Sequence, residues 1–380
     1  MSQAKVEFFR HNIGPEEIGD CVRTLESLFH TTGPACARFE ADFARYLDVK
    51  QVISVASCTT GLEIALKALD IGPGDEVITT PMTFIATPNA VLYVGATPVF
   101  VDVEPVSANI DPALIEGSIT SRTKAIMPVH MYGNLCDMRQ IREIADRHGL
   151  KVISDCAHTV EGRRDGFGSA GLAEMACYSF YTTKNISCGE GGAVATDDDR
   201  LAERLKQLRL HGMSKGAADR YRGLYQHWDM VELGAKGNLS DILASLLIPQ
   251  LPKLAGYLAR REAIARRYEE AFQSLPGVDF PRVPANTVSS RHLFTIWVQQ
   301  RDRFLHELQL RGIGVAVNYR AVHLLSFYRT KFGFQPGDFP VAEKIGDSTI
   351  SLPLYPRLGD DEVERVIQAV REVASLLATS

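Results

Sequence analysis

One lysine, Lys184, stands between hydroxyl-bearing residues and glycines in the stretch SFYTTKNISCGEGG (179–192). The apolar run before it is typical of a buried strand, which Ser179 would end, so that Lys184 lies in the loop that follows. A lysine becomes a nucleophile toward carbonyl groups when burial or a nearby cation lowers its pKa. The alternative is an ordinary solvated lysine, which is the commonest environment for this side chain.

An aspartate and a histidine follow another predicted strand, in the stretch VISDCAH. Asp155 comes at the end of that strand, and His158 lies three residues further on. A carboxylate in this position can hold a cationic ring nitrogen. An Asp that merely caps the next loop is the more common arrangement, and Asp155 alone does not distinguish the two.

Two further groups could bind parts of a ligand. Ser57, Cys58 and Thr59 lie where a strand ends and a helix begins, and free N–H groups with the helix dipole form an anion site there. Ser and Thr also favour this position as plain helix caps. Phe84 comes near the start of another helix, where an aromatic ring can cover a flat ligand or pack into the core.

The elements that must position these residues alternate along the first 250 residues. Apolar, β-rich runs are followed by helical patterns, and this alternation predicts βαβ units. We predict an α/β fold with a mostly parallel sheet, helices on both faces and a smaller C-terminal α/β lobe. Because ligands bind beyond the carboxyl ends of such strands, the residues above should meet at one edge of the sheet. The predicted strands cover 51–57, 75–81, 97–103, 123–131, 150–155, 174–181 and 191–197.

A length of 380 residues exceeds what one hydrophobic core usually supports. We therefore predict a large domain over residues 1–250 and a small domain over residues 251–380. Long helices are expected at 251–274 and near the C-terminus.

The composition is that of an ordinary globular protein. Hydrophobic content is 45%, charged content is 23% and the net charge is −5, which favours neither nucleic acid nor an anionic membrane as a partner. We find no apolar run of signal-peptide or membrane-span character, so a cytoplasmic protein is expected. The seven cysteines have no zinc-type spacing, and most are expected to be buried and reduced.

Taken together, the candidate residues predict a site for pyridoxal 5'-phosphate (PLP). This cofactor requires a lysine for its Schiff base and an aspartate opposite its pyridine nitrogen. An anion cup and an aromatic cover complete the set. No metal site is predicted.

The chain also resembles the PLP-dependent sugar-nucleotide aminotransferases of the DegT type, which have the aspartate aminotransferase (fold type I) architecture. The resemblance covers nearly the whole chain, and the lysine segment with its GEGG is its most specific part. It rests on TTGPACARFEADFARYL (31–47), GPGDEVITTPMTFIAT (72–87), GATPVFVDVEP (95–105), SDCAHTVEG (154–162), SFYTTKNISCGEGGAVATDD (179–198), GNLSDILAS (237–245) and SLPLYPRLGDDEVERV (351–366).

The resemblance implies a role for each candidate residue. Lys184 would bind the cofactor covalently and move a proton, and Asp155 would pair with the pyridine nitrogen. Phe84 would stack on the ring, and His158 would lie near the ring's 3-oxygen.

The remaining implied roles concern the phosphate and the assembly. Ser179 and the backbone around Ser57, Cys58 and Thr59 would hold the phosphate. Asn238 matches an asparagine that reaches the phosphate from the neighbouring subunit, which implies a homodimer with a shared active site.

Three stretches depart from the usual pattern of the family. The asparagine stands in GAKGN without the usual tyrosine, His30 replaces a common tryptophan, and Asn318 replaces a usual histidine. These changes concern the sugar pocket more than the cofactor site.

The reaction that the resemblance implies moves an amino group from L-glutamate, or from glutamine, to a keto-sugar nucleotide. The lysine loop and YRAVH look most like members that aminate C4 of UDP-linked 4-keto-6-deoxy sugars. Enzymes that aminate C3 of dTDP-linked keto sugars, or cyclitols, share the same cofactor residues and stay open as alternatives. Lipopolysaccharide, capsule, glycan and antibiotic routes all use such amino sugars.

Other classes fit the sequence less well. Related sugar 3-dehydratases carry histidine in place of the lysine. A dehydrogenase would need a GxGxxG after a strand, which is missing, and would leave Lys184 unexplained. A PLP-sensing regulator would carry a DNA-binding domain or a basic face.

Overall fold

The computed structural model describes residues 5–214 and 227–378. Its strands are β1 Gln51–Val55, β2 Glu76–Thr79, β3 Thr97–Phe100, β4 Thr123–Ile126, β5 Lys151–Asp155, β6 Arg163–Arg164, β7 Phe167–Gly168, β8 Met175–Ser179, β9 Gly192–Thr196, β10 Val278–Asp279, β11 Thr287–Val288, β12 Phe294–Val298 and β13 Thr349–Leu352. Its α-helices are α1 Pro15–Leu25, α2 Pro34–Leu47, α3 Cys58–Ala68, α4 Ala86–Tyr93, α5 Pro112–Ile115, α6 Met138–His148, α7 Asp199–Leu208, α8 Asp241–Leu247, α9 Leu254–Phe272, α10 Arg301–Leu310, α11 Ser326–Phe332, α12 Pro340–Ser348 and α13 Asp360–Ala378.

The main sheet has seven strands in the order β1-β9-β8-β5-β4-β2-β3. Strand β9 runs antiparallel to both of its neighbours, and all other pairings in this sheet are parallel. The strands are almost wholly buried, as a sheet covered by helices on both faces requires. The predicted α/β fold class is therefore confirmed.

Helix boundaries follow ordinary capping chemistry. The Asp137 carboxylate caps α6 by accepting a hydrogen bond from the Gln140 N–H, and Gly149 ends that helix in the left-handed conformation at φ 64°. The Asp241 carboxylate accepts from the N–H groups of Gly33 and Ala35, at 2.8 and 3.2 Å. This second cap joins the start of α2 to the start of α8.

The C-terminal lobe has its own core. Strands β10, β12 and β13 form an antiparallel sheet, and buried residues of α9, α10 and α13 pack around it. Val6, from the other end of the chain, is also buried in this core and pairs with Ile313. The division near residue 250 stays a prediction.

A helical run from Asp241 to Phe272 is long and apolar enough to cross a membrane by length and composition alone. Core helices of proteins that never enter a membrane pass the same test. Within this run, Leu247, Leu251 and Leu254 are buried in the core beside α2, which accounts for part of its apolar character.

Candidate active site

The predicted site residues meet at the carboxyl edge of the main sheet. Asp155 and Ser179 are the last residues of the neighbouring parallel strands β5 and β8. Ser57 follows β1, which runs in the same direction. The Cys58 Sγ lies 4.0 Å from the Asp155 Oδ1, so the start of α3 and the end of β5 are in contact.

The start of α3 forms a cup with two free donors. Ser57 is the N-cap, and its Oγ accepts a hydrogen bond from the Thr60 N–H at 3.1 Å. The N–H groups of Cys58 and Thr59, in the first turn, have no acceptor within the helix. They are therefore available to an anion, beside the positive end of the helix dipole.

A glycine allows this cup to approach the sheet. Gly192 begins β9 and pairs with Ser179 of β8. A Cβ added to Gly192 would lie 2.5 Å from the Cys58 nitrogen and 2.8 Å from the Tyr178 carbonyl oxygen. Any side chain at this position would push the helix start away from Ser179.

Asp155 is a buried carboxylate held by neutral donors. It is 4% exposed, and it accepts hydrogen bonds from the Thr87 hydroxyl at 2.8 Å and from the Ala157 N–H at 3.0 Å. Burial raises the pKa of its carboxyl group. Within residues 5–214 and 227–378 no cationic side chain lies in ion-pair range of this carboxylate. A cationic ring nitrogen therefore fits here.

Lys184 lies in the turn that follows β8, and its N–H donates to the Tyr181 carbonyl oxygen at 2.9 Å. Its side chain lines a cavity of about 40 Å³, with His292, Asn318 and Tyr319 among its neighbours. Burial lowers the pKa of the Lys184 ammonium to about 8, against the smaller opposing attraction of Asp155. At this pKa a fraction of the amine is uncharged near neutral pH, so Lys184 can act as a nucleophile and can accept and return a proton.

His158 is held as a neutral ring in one tautomer. Its Nδ1 accepts a hydrogen bond from the Tyr132 N–H at 3.3 Å, so the proton belongs on Nε2, which donates to the Tyr319 hydroxyl at 3.0 Å. Burial, and secondarily Lys184, lower the pKa of His158 well below its ordinary value. The ring is thus fixed and uncharged between Tyr319 and His292.

Phe84 and Asn238 lie at the margins of this arrangement. The Phe84 side chain is 53% exposed, and its ring centroid is 5.6 Å from that of Tyr319. Asn238 forms a bridge with Val55 at the end of β1, and its amide donates to the Thr31 hydroxyl at 2.9 Å. The Phe84 side chain is therefore exposed, and Asn238 is partly exposed.

Sequence reasoning missed three residues of the site. Thr87 holds Asp155, Tyr319 contacts both His158 and Phe84, and His292 lines the cavity beside Lys184. Thr87 and Tyr319 lie in stretches that carry the family resemblance, which could have identified them. His292 lies more than a hundred residues from Lys184, and no local pattern marks it.

A larger groove of about 600 Å³ runs between α4 and α11. It is lined mostly by apolar side chains, among them Tyr93, Phe327 and Tyr328, and by none of the predicted site residues. The smaller cavity at Lys184, where the titratable groups converge, is the candidate active site.

The fold and this constellation define a PLP-dependent enzyme of the transaminase class. The comparisons give the particular family. Residues 11–371 match the profile of the DegT/DnrJ/EryC1/StrS aminotransferase family, and the chain belongs to this family.

Relatives are similar over nearly their whole length. The chain is 42% identical to the spore coat polysaccharide biosynthesis protein SpsC of Bacillus subtilis (strain 168), over 95% of each protein. Among solved structures, DesV of S. venezuelae superposes with a TM-score of 0.92 at 36% identity, covering 98% of this chain and 99% of DesV. The PMP form of Spr1654 from Streptococcus pneumoniae also gives 0.92, at 30% identity, covering 98% of this chain and 100% of that one.

These findings confirm a sugar aminotransferase that uses PLP. The site of this chain fits the cofactor, because among the described residues it offers a buried carboxylate without an ion-pair partner, an open helix start and a lysine of lowered pKa. These three features match the ring nitrogen, the phosphate and the aldehyde respectively.

Proposed function

We propose that the protein transfers the amino group of L-glutamate to C4 of a UDP-linked 4-keto-6-deoxy sugar. The chain belongs to a family of sugar aminotransferases, and this supports the transamination of a sugar. The observation that supports the assignment of residues is the convergence of Lys184 and Asp155 at one sheet edge, where neither forms an ion pair among residues 5–214 and 227–378 and the pKa of each is shifted by burial.

Lys184 is the proposed catalytic residue. Its amine would bind the cofactor covalently, and after release it would carry the proton between the cofactor carbon and the sugar carbon. A pKa of about 8 leaves a substantial uncharged fraction near neutral pH, so the same group can accept and return a proton.

Asp155 is the proposed partner of the pyridine nitrogen. When bound, PLP takes up the amino group from the donor and passes it to the keto sugar, and its protonated ring withdraws electrons from the reacting carbon. A cation opposite Asp155 favours the charged carboxylate, which the hydroxyl of Thr87 and the N–H of Ala157 already orient.

The phosphate and the ring face are assigned to the remaining residues. The N–H groups of Cys58 and Thr59, together with the hydroxyls of Ser57 and Ser179, would bind the phosphate. Phe84 would cover the ring.

Two further placements complete the proposed site. His158 would lie near the 3-oxygen of the cofactor. We propose that Asn238 completes the phosphate site of a partner subunit, so that the active enzyme is a homodimer in the cytoplasm.

Two facts support a sugar-nucleotide acceptor of the polysaccharide type. SpsC, the relative from Bacillus subtilis, is named for spore coat polysaccharide biosynthesis. The segment TKNISCGEGG and the YRAVH stretch resemble the members that act on C4 of UDP sugars. Tyr319, which belongs to that second stretch, lines the cavity with Lys184, and in this proposal it would contact the sugar.

The test is a comparison of acceptors. The purified enzyme, loaded with PLP and L-glutamate, is incubated with UDP-linked 4-keto-6-deoxy sugar, with dTDP-linked 3-keto sugar and with a keto-cyclitol. Mass spectrometry and NMR of the product then identify the aminated carbon. The proposal predicts fastest turnover of the UDP sugar with nitrogen at C4, whereas preferred amination of either other acceptor would replace it with that alternative.

A further inference from the structure

A buried ion pair joins the C-terminal lobe to the loops around the site. The Arg261 guanidinium, on α9, donates through Nη2 to the Glu161 carboxylate, and the two side chains are only 2% and 3% exposed. Arg261 Nε also donates to the Ser290 carbonyl oxygen at 3.2 Å. Removing one partner of such a pair leaves an uncompensated charge in the interior.

The pair continues to the residue beside the lysine. Asn185 Nδ2 donates to Glu161 Oε2 at 2.8 Å and to the Ser290 carbonyl oxygen at 3.0 Å. Both partners can only accept, so the orientation of this amide is fixed by its chemistry. Its Oδ1 must therefore face His292, whose Nδ1 lies 3.1 Å away.

The same rule for donors and acceptors fixes the tautomer of His292. Because Asn185 Oδ1 only accepts, His292 Nδ1 carries the proton and donates. Burial, with Lys184 as a further cause, lowers the pKa of His292 well below its ordinary value, so the ring is neutral. It packs on His158, at 4.5 Å between ring centroids, and it lines the cavity that contains Lys184.

We propose that Arg261 and Glu161 are positioning residues, which hold Lys184 at the wall of its cavity through Asn185 and His292. The proposal rests on the role given to Lys184 above. It extends that role, since it makes the reactivity of the lysine depend on a side chain of the C-terminal lobe. Neither Arg261 nor Glu161 lines the cavity. Each acts through the hydrogen bonds that lead from Glu161 to Asn185 and from Asn185 to His292.

Replacing Arg261 with Met should make Lys184 less reactive. The Glu161 carboxylate loses the cation that holds it, so the Asn185 amide loses a fixed acceptor and the turn that carries Lys184 is freed toward water. Greater contact with water raises the pKa of the Lys184 ammonium, because burial is what lowers it. A rise of one unit makes the uncharged amine about tenfold scarcer at pH 7.

The experiment uses the full chain freed of cofactor and needs no sugar substrate. Potassium cyanate reacts with uncharged amines, and its rate at Lys184 is followed by peptide mass spectrometry between pH 6.5 and 9.5. Arg164→Met is the matched control, because Arg164 also donates hydrogen bonds to a carboxylate, of Asp137, and to a carbonyl oxygen, of Leu135. Melting temperatures are recorded for both variants.

The expected result is a roughly tenfold slower reaction of Lys184 at pH 7 in Arg261→Met, and an unchanged rate in Arg164→Met. Equal rates in the two variants would overturn the proposal and leave the ion pair a purely structural role. If Arg261→Met does not fold, Asn185→Ala breaks the link and leaves the ion pair intact. A normal rate at Lys184 in that variant would overturn the proposal equally.

These outcomes are independent of the acceptor assay. A different sugar preference would change the proposed function and leave the reactivity of Lys184 as predicted. Conversely, wild-type reactivity of Lys184 in Arg261→Met and Asn185→Ala would refute the positioning role of the ion pair and leave the proposed amino-transfer reaction unaffected.

Discussion

Gly192→Ala should weaken cofactor binding by displacing the start of α3. The new Cβ would lie 2.5 Å from the Cys58 nitrogen and from the Ser57 carbonyl carbon, where an ordinary contact needs about 3.4 Å. The neighbouring atoms belong to backbone, so no side chain can rotate away. The helix start must retreat from Ser179.

The size of the effect follows from hydrogen-bond geometry. A retreat of roughly 0.9 Å stretches an N–H···O contact from about 2.9 Å to a distance at which it no longer counts as a hydrogen bond. Losing one bond to a charged group costs about 1.5–3 kcal/mol, which weakens binding about 10- to 100-fold. The crowding itself should also destabilise the protein, by about 1–3 kcal/mol.

The assay is a titration of cofactor-free protein with PLP, followed by absorbance, with unfolding measured in parallel. Gly256→Ala is the matched control, since Gly256 is an exposed position in α9 and an added Cβ meets nothing within 4 Å. That change should leave PLP affinity unchanged and stabilise the helix by up to about 1 kcal/mol. Wild-type affinity in Gly192→Ala would refute the phosphate cup at α3.

Two further predictions concern the buried groups of the site. Thr87→Val removes the hydroxyl that orients Asp155 and should lower kcat about tenfold. The control is Thr79→Val, which loses a buried hydrogen bond from its hydroxyl to the Met127 carbonyl oxygen and should only lower the melting temperature. Equal kcat in the two variants would exclude a role for Thr87. Lys184→Met should make the cofactor-free protein more stable at pH 7, by up to about 3 kcal/mol, because the folded state holds this ammonium at an unfavourable pKa of about 8. Between pH 8 and pH 10.5 the unfolded wild-type chain binds more protons than the folded one, so wild-type stability rises across that window and the stability advantage of the variant should vanish. Denaturant unfolding of both proteins at pH 7 and pH 10.5 measures this. The same stability difference between variant and wild type at both pH values would contradict the prediction.

The strands and the sheet edge could be predicted because their signals are local. Runs such as QVISVAS and LKVISD mark buried strands, and the residues that end them fall at one edge in any parallel sheet. Asp155, Ser179 and the start of α3 were therefore placed correctly from the sequence. The antiparallel direction of β9 was not predicted, because the same apolar run suits either direction.

The contacts that set the chemistry are long-range and could not be predicted. Glu161 and Arg261 are a hundred residues apart, and each resembles an ordinary surface charge in the sequence. His292 meets Asn185 because the segment after α9 returns to the loop that follows β8. Burial and partner choice of this kind depend on tertiary packing, which no local spacing encodes.

The central claim is that Lys184 and Asp155 form a working transaminase site. The most direct measurement is a near-UV and visible absorbance scan of the purified protein, before and after adding L-glutamate, for wild type and for Lys184→Ala. The account predicts a PLP band in the wild type that glutamate converts to the pyridoxamine phosphate form, and a variant that retains PLP but does not turn over. A wild type that binds no chromophore when PLP is added, or a variant with normal turnover, would contradict it.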